Sequence, residues 1–243
     1  MLLAPADASS PYCGIVHHHK ILPLGDRALA LTPIQTGSIA ISDWLRCLGE
    51  QIGDNPPPGL RALVPGLSSL TVHYDPRRTT YESLTGFLSA AVGALTIVPA
   101  SVHQPIIIPV CYGGEFGPDL DEVAATHHTT PDAIVRTHTA GRYTVEMLGF
   151  LPGFPYLEGL DASLHTPRRA TPRIRVPAGS VGIGGSSTGI YPCTSPGGWQ
   201  LIGRTPRTLF DAHRTSPALL TPGDTLQFVA IQHSEFEAYE RAS

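Results

Sequence analysis

Lysine is almost missing from this chain. Lys20 is the only one, and the other 15 basic residues are arginine. A phosphate-binding P-loop needs the lysine of its GK[ST] motif. The Gly-rich run at 179 to 189, GSVGIGGSSTG, has none and is excluded from that role. Schiff-base chemistry would rest on Lys20 alone. There is no run of about 18 apolar residues, so no transmembrane helix is expected. The first residues, MLLAPADASSPYCGIVHHHK, lack a positive segment ahead of an apolar stretch and do not read as a secretory signal. Cys13, Cys47, Cys111 and Cys193 have no CxxC spacing. Without a signal they are expected to be thiols in a reducing cytoplasm. A formal charge of -4 and a pI near 6.2 give no electrostatic reason to bind nucleic acid. No paired carboxylates stand out.

What the chain does have is concentrated between residues 149 and 206. Nineteen of these 58 residues are Gly or Pro, a density typical of disorder. Phe150, Phe154, Tyr156, Leu157, Val181, Ile183, Ile190, Tyr191, Trp199 and Leu201 are interleaved with them. Disordered segments lack such residues because they bury too little apolar area to offset chain entropy. Ordered loops and short strands are therefore expected. There glycine supplies positive φ or close approach, and proline stiffens the backbone.

Ahead of this segment the pattern is mixed α/β. Residues 21 to 24 and 27 to 31 read as strands. Residues 39 to 52 read as an amphipathic helix, with Ile41, Trp44, Leu45 and Leu48 at helical spacing and Ser38 as its N-cap. Strands follow at 60 to 64 and 70 to 74, then a helix at 80 to 95. A strand is expected at 105 to 111, two short helices at 118 to 127 and 131 to 139, and strands at 143 to 148 and 225 to 231. Asp119, Asp121, Glu122 and Asp132 complement the N-terminal dipoles of the two short helices. The many short strands after the second of these suggest a closed barrel. The division is a leader at 1 to 19, a small domain at 20 to 98 and a larger one at 99 to 243. His17-His18-His19 reads as solvated tail, because three adjacent histidines cannot face one site on a regular element.

Several ordered motifs carry a resemblance. They are Tyr112-Gly113-Gly114-Glu115, Gly117-Pro118-Asp119-Leu120 and Gly149 through Leu157. Pro167-Arg168-Arg169, Thr171-Pro172-Arg173 and Val176-Pro177-Ala178-Gly179-Ser180-Val181 follow. The last are Thr188-Gly189-Ile190-Tyr191-Pro192 and Ser195 through Thr205. With these the chain resembles the allophanate hydrolase subunit 1 family, whose members include the B subunit of ATP-dependent 5-oxoprolinase and a Kip-type histidine-kinase inhibitor. The resemblance implies an α+β protein. Its N-terminal domain would be ferredoxin-like α/β, and its C-terminal domain a cyclophilin-like β-barrel. It implies an enzyme component that opens the lactam of 5-oxoproline to glutamate only together with a C-like barrel protein and an A-like TIM-barrel protein. ATP with Mg2+ would then be used by the assembled complex. The alternatives are the kinase inhibitor and a component of urea or allophanate amidohydrolysis.

Candidate site residues follow from side-chain chemistry. Arg168, Arg173 and Arg204 match the family pattern, and guanidinium binds a carboxylate in a bidentate fork. Their alternative is an exposed face or an interface. Phe154 and Tyr156 would form an apolar wall, or else turn a barrel corner. Gly179, Ser180 and Thr188 offer backbone donors and hydroxyls to a carboxylate or developing oxyanion. Ser187 stands where relatives usually carry Gln. His138 matches a family position and is either a general acid or base, a helix-end cation, or a buried hydrogen-bonded histidine. Trp199 either lines the site or belongs to the core. His73, His103, His127, His128, His165, His213 and His233 show no metal-ligand spacing.

Overall fold

The computed structural model describes residues 18 to 34, 41 to 97 and 104 to 242. The expected leader up to His17, the Ser38 N-cap and most of the connector after residue 97 lie outside them. The chain divides into two compact units, Met1–Ala100 and Ser101–Ser243.

The first unit contains β1 (His19–Pro23), β2 (Ala28–Pro33), α1 (Ile41–Asp54), β3 (Leu60–Pro65), β4 (Leu70–Tyr74) and α2 (Tyr81–Gly93). The strands form an antiparallel sheet in the order β1-β2-β4-β3. The run β2-α1-β3-β4-α2 is the βαββα core of a ferredoxin-like fold. β1 fills the free edge of β2, where the last strand of that fold would normally return. His19 thus belongs to a strand, and the residues read as leader extend one position too far. The helical spacing works as expected. Trp44, Leu45, Leu48 and Ile52 of α1 pack with Leu84, Leu88 and Val92 of α2 against Leu29, Leu31, Leu70 and Val72 of the sheet. Thr80 caps α2 by accepting the Ser83 N–H at 3.2 Å.

The second unit contains β5 (Ile106–Tyr112), α3 (Leu120–Thr126), α4 (Pro131–Ala140), β6 (Tyr143–Leu148) and β7 (Pro155–Glu158). After these come β8 (Arg173–Val176), β9 (Ser180–Gly184), β10 (Ser187–Ile190), β11 (Ser195–Gly197), β12 (Gln200–Arg204), β13 (Thr225–Ala230) and α5 (His233–Ala242). Seven strands close a barrel in the order β10-β7-β6-β13-β5-β12-β9. β8 and β11 form a separate two-stranded ribbon. β13 runs parallel to β5, in register from Leu226 opposite Ile106 to Ala230 opposite Val110. The interior is filled by branched and aromatic residues such as Ile108, Val145, Leu157, Val181, Ile183 and Phe228.

Thr130 caps α4 with Pro131 in the first turn. Asp119 sits at the N-cap of α3 but makes no capping bond. Its carboxylate accepts instead from Arg169, Arg173 and the Leu201 N–H. α5 is not among the elements expected from the sequence. Its local signal is the pair Gln232 and Glu235, whose carboxylate accepts the Gln232 N–H at 2.7 Å. Phe236 anchors it against Phe116 and Cys111.

Candidate functional site

The Gly/Pro-rich segment builds a pocket beside the β8–β11 ribbon. Phe150, Phe154, Tyr156, Arg168, Tyr191 and Trp199 line it, with Pro172, Pro196, Gly197 and Gly198, around a volume of about 270 Å³. Phe154 is the hub of this aromatic set. Its ring centroid lies 5.1 Å from Tyr156, 5.1 Å from Tyr191 and 5.4 Å from Trp199. Two of these contacts are edge-to-face, the geometry that ring quadrupoles favour. The close approach of Trp199 requires glycine on the strands beneath it. A Cβ at Gly184 would lie 2.6 Å from the indole, and one at Gly189 would lie 3.0 Å from it.

The loop over the pocket is held by Gly149 donating to the Phe154 carbonyl at 3.1 Å and Phe154 donating to the Leu151 carbonyl at 3.0 Å. Phe150, at its tip, has φ 66° and is 61% exposed. A bulky side chain in the left-handed region is uncommon and strained. The fold holds an aromatic ring at the pocket mouth against a local backbone cost.

Arg168 stands over Trp199, its guanidinium carbon 5.8 Å from the ring centroid. Burial pushes the Tyr191 hydroxyl pKa up, while a backbone hydrogen bond from Trp199 and the charge of Arg168 pull it down. Arg168 also lines a neighbouring hollow of about 450 Å³, with Arg169, Thr171, Gln200 and Glu122. It has no ion pair among the described residues. A planar cation over an aromatic floor, with apolar walls, can hold a small flat molecule by its carboxylate.

Arg169, Arg173 and Arg204 are committed elsewhere. Arg173 Nη2 donates to Asp119 Oδ1 at 2.6 Å, and Arg169 Nη1 donates to the same oxygen at 3.0 Å. Arg204 donates from Nε to the Ala178 carbonyl at 2.9 Å and stacks over Phe236 at 5.6 Å. It does not line the aromatic pocket.

The expected oxyanion donors are spent within the barrel. The N–H of Gly179 reaches the Tyr191 carbonyl at 2.7 Å, and that of Ser180 reaches the Pro177 carbonyl at 3.3 Å. Thr188 is buried and donates to the Gly182 carbonyl at 2.9 Å. Ser187 lies on β10, half-buried, and does not line the pocket.

His138 is inside the barrel, with no exposed surface. Its Nε2 meets Thr188 Oγ1 at 3.1 Å, and its Nδ1 meets the Tyr112 hydroxyl at 2.8 Å. Thr188 gives its proton to Gly182, so it accepts from His138. The ring then carries its proton on Nε2, and Nδ1 accepts from Tyr112. Phe228 stacks on the imidazole at 4.5 Å, and the Tyr143 hydroxyl donates to the His138 carbonyl at 2.7 Å. Burial pushes the His138 pKa down to about 3 and raises that of Tyr112 well above its usual value. The neutral ring has both nitrogens occupied and no route to a bound molecule. Of the roles open to it, the geometry supports the buried structural one and not acid–base catalysis.

A larger cavity, about 510 Å³, is lined by Cys111, Gly114, Glu115, Asp132 and His233 among others. It shares no residue with the aromatic pocket, and its two carboxylates suit an anion poorly. Among the described residues no cluster of His, Cys, Asp or Glu has the arrangement of a metal site. Cys47 and Cys111 are buried, and Cys193 is exposed. No described helix is long and apolar enough to cross a membrane.

Asp119 is the residue that sequence reasoning missed. It was visible as part of a motif, but its partners lie 50 and 54 positions away.

Comparison with known proteins agrees with the resemblance carried by the motifs. Residues 19–220 match the family described as carboxyltransferase domain, subdomain C and D. The chain is 62% identical over 210 residues to the 5-oxoprolinase B subunit of Haemophilus influenzae, covering 86% of this chain and 97% of that protein. It is 39% identical over 236 residues to the 5-oxoprolinase B subunit of Bacillus subtilis, covering 93% and 98%. Among solved structures, TTHA0988 superposes with a TM-score of 0.74 at 38% identity, over 85% of this chain. The match spans only 40% of the TTHA0988 chain.

Proposed function

Because this chain belongs to the carboxyltransferase domain family, subdomains C and D, we propose that it is the B subunit of an ATP-dependent 5-oxoprolinase. The observation that supports this most is its similarity to proteins of that name along nearly their whole length. The geometry supports the same reading. 5-Oxoproline is a small flat lactam bearing one carboxylate. A pocket of about 270 Å³ with five aromatic side chains and one unpaired guanidinium suits it.

In this reading Arg168 takes the carboxylate as a planar fork. The rings of Phe150, Tyr156 and Trp199 exclude water and align the lactam. Ring-opening uses ATP, and this chain has no phosphate loop to supply it. The Gly-rich run at 179 to 189 forms β9, β10 and the turn between them. The ATP-dependent step is therefore assigned to the assembled complex with its C-like barrel and A-like TIM-barrel partners. The exposed apolar residues near the pocket are candidates for the contact with those partners. Ile174 on β8 is 92% exposed and Phe150 is 61% exposed, a degree of apolar exposure that marks interaction surfaces when contiguous.

The test is reconstitution. Co-expression with the two partner proteins should give ATP-dependent release of glutamate from 5-oxoproline. Arg168→Ala in that complex should lower kcat/KM at least about thirtyfold, the loss of a charge-assisted pair worth about 2 kcal/mol or more. A complex that assembles and yields no glutamate, or an Arg168→Ala complex of wild-type activity, would refute the reading.

A further inference from the structure

The Arg168 segment has almost no regular structure to hold it. Residues 167 to 172 contain no strand or helix. Within it, the backbone bond from Arg169 N–H to the Gly198 carbonyl at 2.7 Å and the Gln200 side chain reaching the Pro167 carbonyl at 3.1 Å give two fixed points. The rest of its restraint comes from outside. Asp119 is 2% exposed and holds both arginines that flank the segment's exposed turn. Its Oδ1 accepts from Arg169 and Arg173, and its Oδ2 accepts the Leu201 N–H at 2.7 Å. The Asp119 N–H returns to the Leu201 carbonyl at 2.9 Å. One carboxylate therefore joins the start of α3, strand β12 and both sides of the segment.

The remaining donors sharpen the point. Arg169 Nε and Arg173 Nη1 are buried and have no acceptor among the described residues. Neither arginine has a second buried carboxylate to fall back on; Glu122 is 3.8 Å from Arg169 and mostly exposed. Beside these two tied arginines stand Arg168, the free guanidinium over Trp199, and Pro172, which lines the same pocket.

We infer that Asp119 is a positioning residue: by clamping Arg169 and Arg173 it fixes the segment at 167 to 172 and presents Arg168 to the substrate carboxylate. The inference rests on the proposed function for the role of Arg168, but the clamp itself does not. Asp119 touches no substrate. It acts by keeping Arg168 from sampling other positions, which lowers the ordering cost of binding.

Two measurements test it. In the reconstituted complex, Asp119→Asn should raise KM for 5-oxoproline about tenfold with kcat within twofold. The same change added to Arg168→Ala should raise KM no further, because both act through one guanidinium. On the isolated chain, trypsin should cut after Arg168 or Arg169 about tenfold faster in Asp119→Asn than in wild type. If Asp119→Asn fails to fold, Arg173→Met removes one arm and leaves the Asp119–Arg169 pair, and should give both effects in weaker form. Additive KM effects in the double variant, or an unchanged cleavage rate, would overturn the clamp. If the complex makes no glutamate at all, the function fails separately, and the trypsin rate alone decides for or against the clamp.

Discussion

Inside the barrel, His138, Tyr112, Tyr143 and Thr188 form a sealed chain in which every donor meets an acceptor. At the rim, Arg168 lies over Trp199 with its charge unpaired. Both regions carry residue types that do chemistry elsewhere, and both match a family pattern. They differ in what is left over. A buried polar group must be satisfied by its own protein or it costs about 1–3 kcal/mol. The interior network satisfies all of its members, so it has nothing to offer a ligand. The rim keeps one guanidinium unspent where a ligand can reach it, while its neighbours Arg169 and Arg173 are tied off. Unspent capacity, rather than residue type, separates the two.

The strongest way to sharpen this contrast is at Phe154, which has only 1% of its surface exposed and touches four other rings. Phe154→Ala should cost about 3–5 kcal/mol of folding stability in the isolated chain. Chemical denaturation measures it. A loss under about 1 kcal/mol, with weakened assembly, would move Phe154 from the core to the binding rim.

The interior is tested next by acid. The folded state holds His138 neutral, with its pKa pushed down to about 3, whereas the unfolded chain protonates near 6.5. The unfolded state therefore binds the extra proton. The stability contributed by the neutral ring is complete above pH 6.5 and is lost progressively as pH falls toward 3. Between pH 7 and pH 5 the loss should be about 2 kcal/mol. His138→Gln should flatten that part of the pH profile, measured by urea unfolding at the two pH values. Equal slopes in the two proteins would mean that the ring titrates freely and the seal is broken.

The smallest effect is expected at the pocket mouth. Phe150→Gly removes an exposed ring and relieves a left-handed backbone that only glycine adopts without strain. Stability should stay within about 1 kcal/mol of wild type, or rise. Binding to the partner proteins or to 5-oxoproline should weaken severalfold, read by sedimentation and by Trp199 fluorescence. A large stability loss with intact binding would make Phe150 a core residue after all.

Much of the fold was legible because its signals are local. The helices of the first unit follow from the spacing of Trp44, Leu45, Leu48, Leu84 and Leu88, although Thr80, read as the first helical residue, is the N-cap of α2. The short strands and stiff loops of residues 149 to 206 follow from aromatics set among Gly and Pro. Less was legible where partners are far apart in the chain. Asp119 reads as a helix-start carboxylate until Arg169 and Arg173 come to it across 50 and 54 residues. The backbone N–H groups of Gly179 and Ser180 are taken up by the Tyr191 and Pro177 carbonyls, a use of donors that composition does not reveal. Arg168, Arg173 and Arg204 are equivalent in sequence. Only the fold shows that two are occupied and one is free.

The parallel pairing of β13 with β5 has a consequence for how the chain is made. The barrel is closed by joining residues 225–230 to residues 106–110. Its sheet cannot become continuous until more than a hundred intervening residues have been synthesised. The sheet of the first unit needs nothing beyond Tyr74 to complete its pairing. On a ribosome adding about 5–20 residues per second, that unit can form while the barrel is still an open sheet with unpaired edges. The barrel should therefore be the slow and aggregation-exposed part of biosynthesis, since distant strand pairing is the costly step in folding.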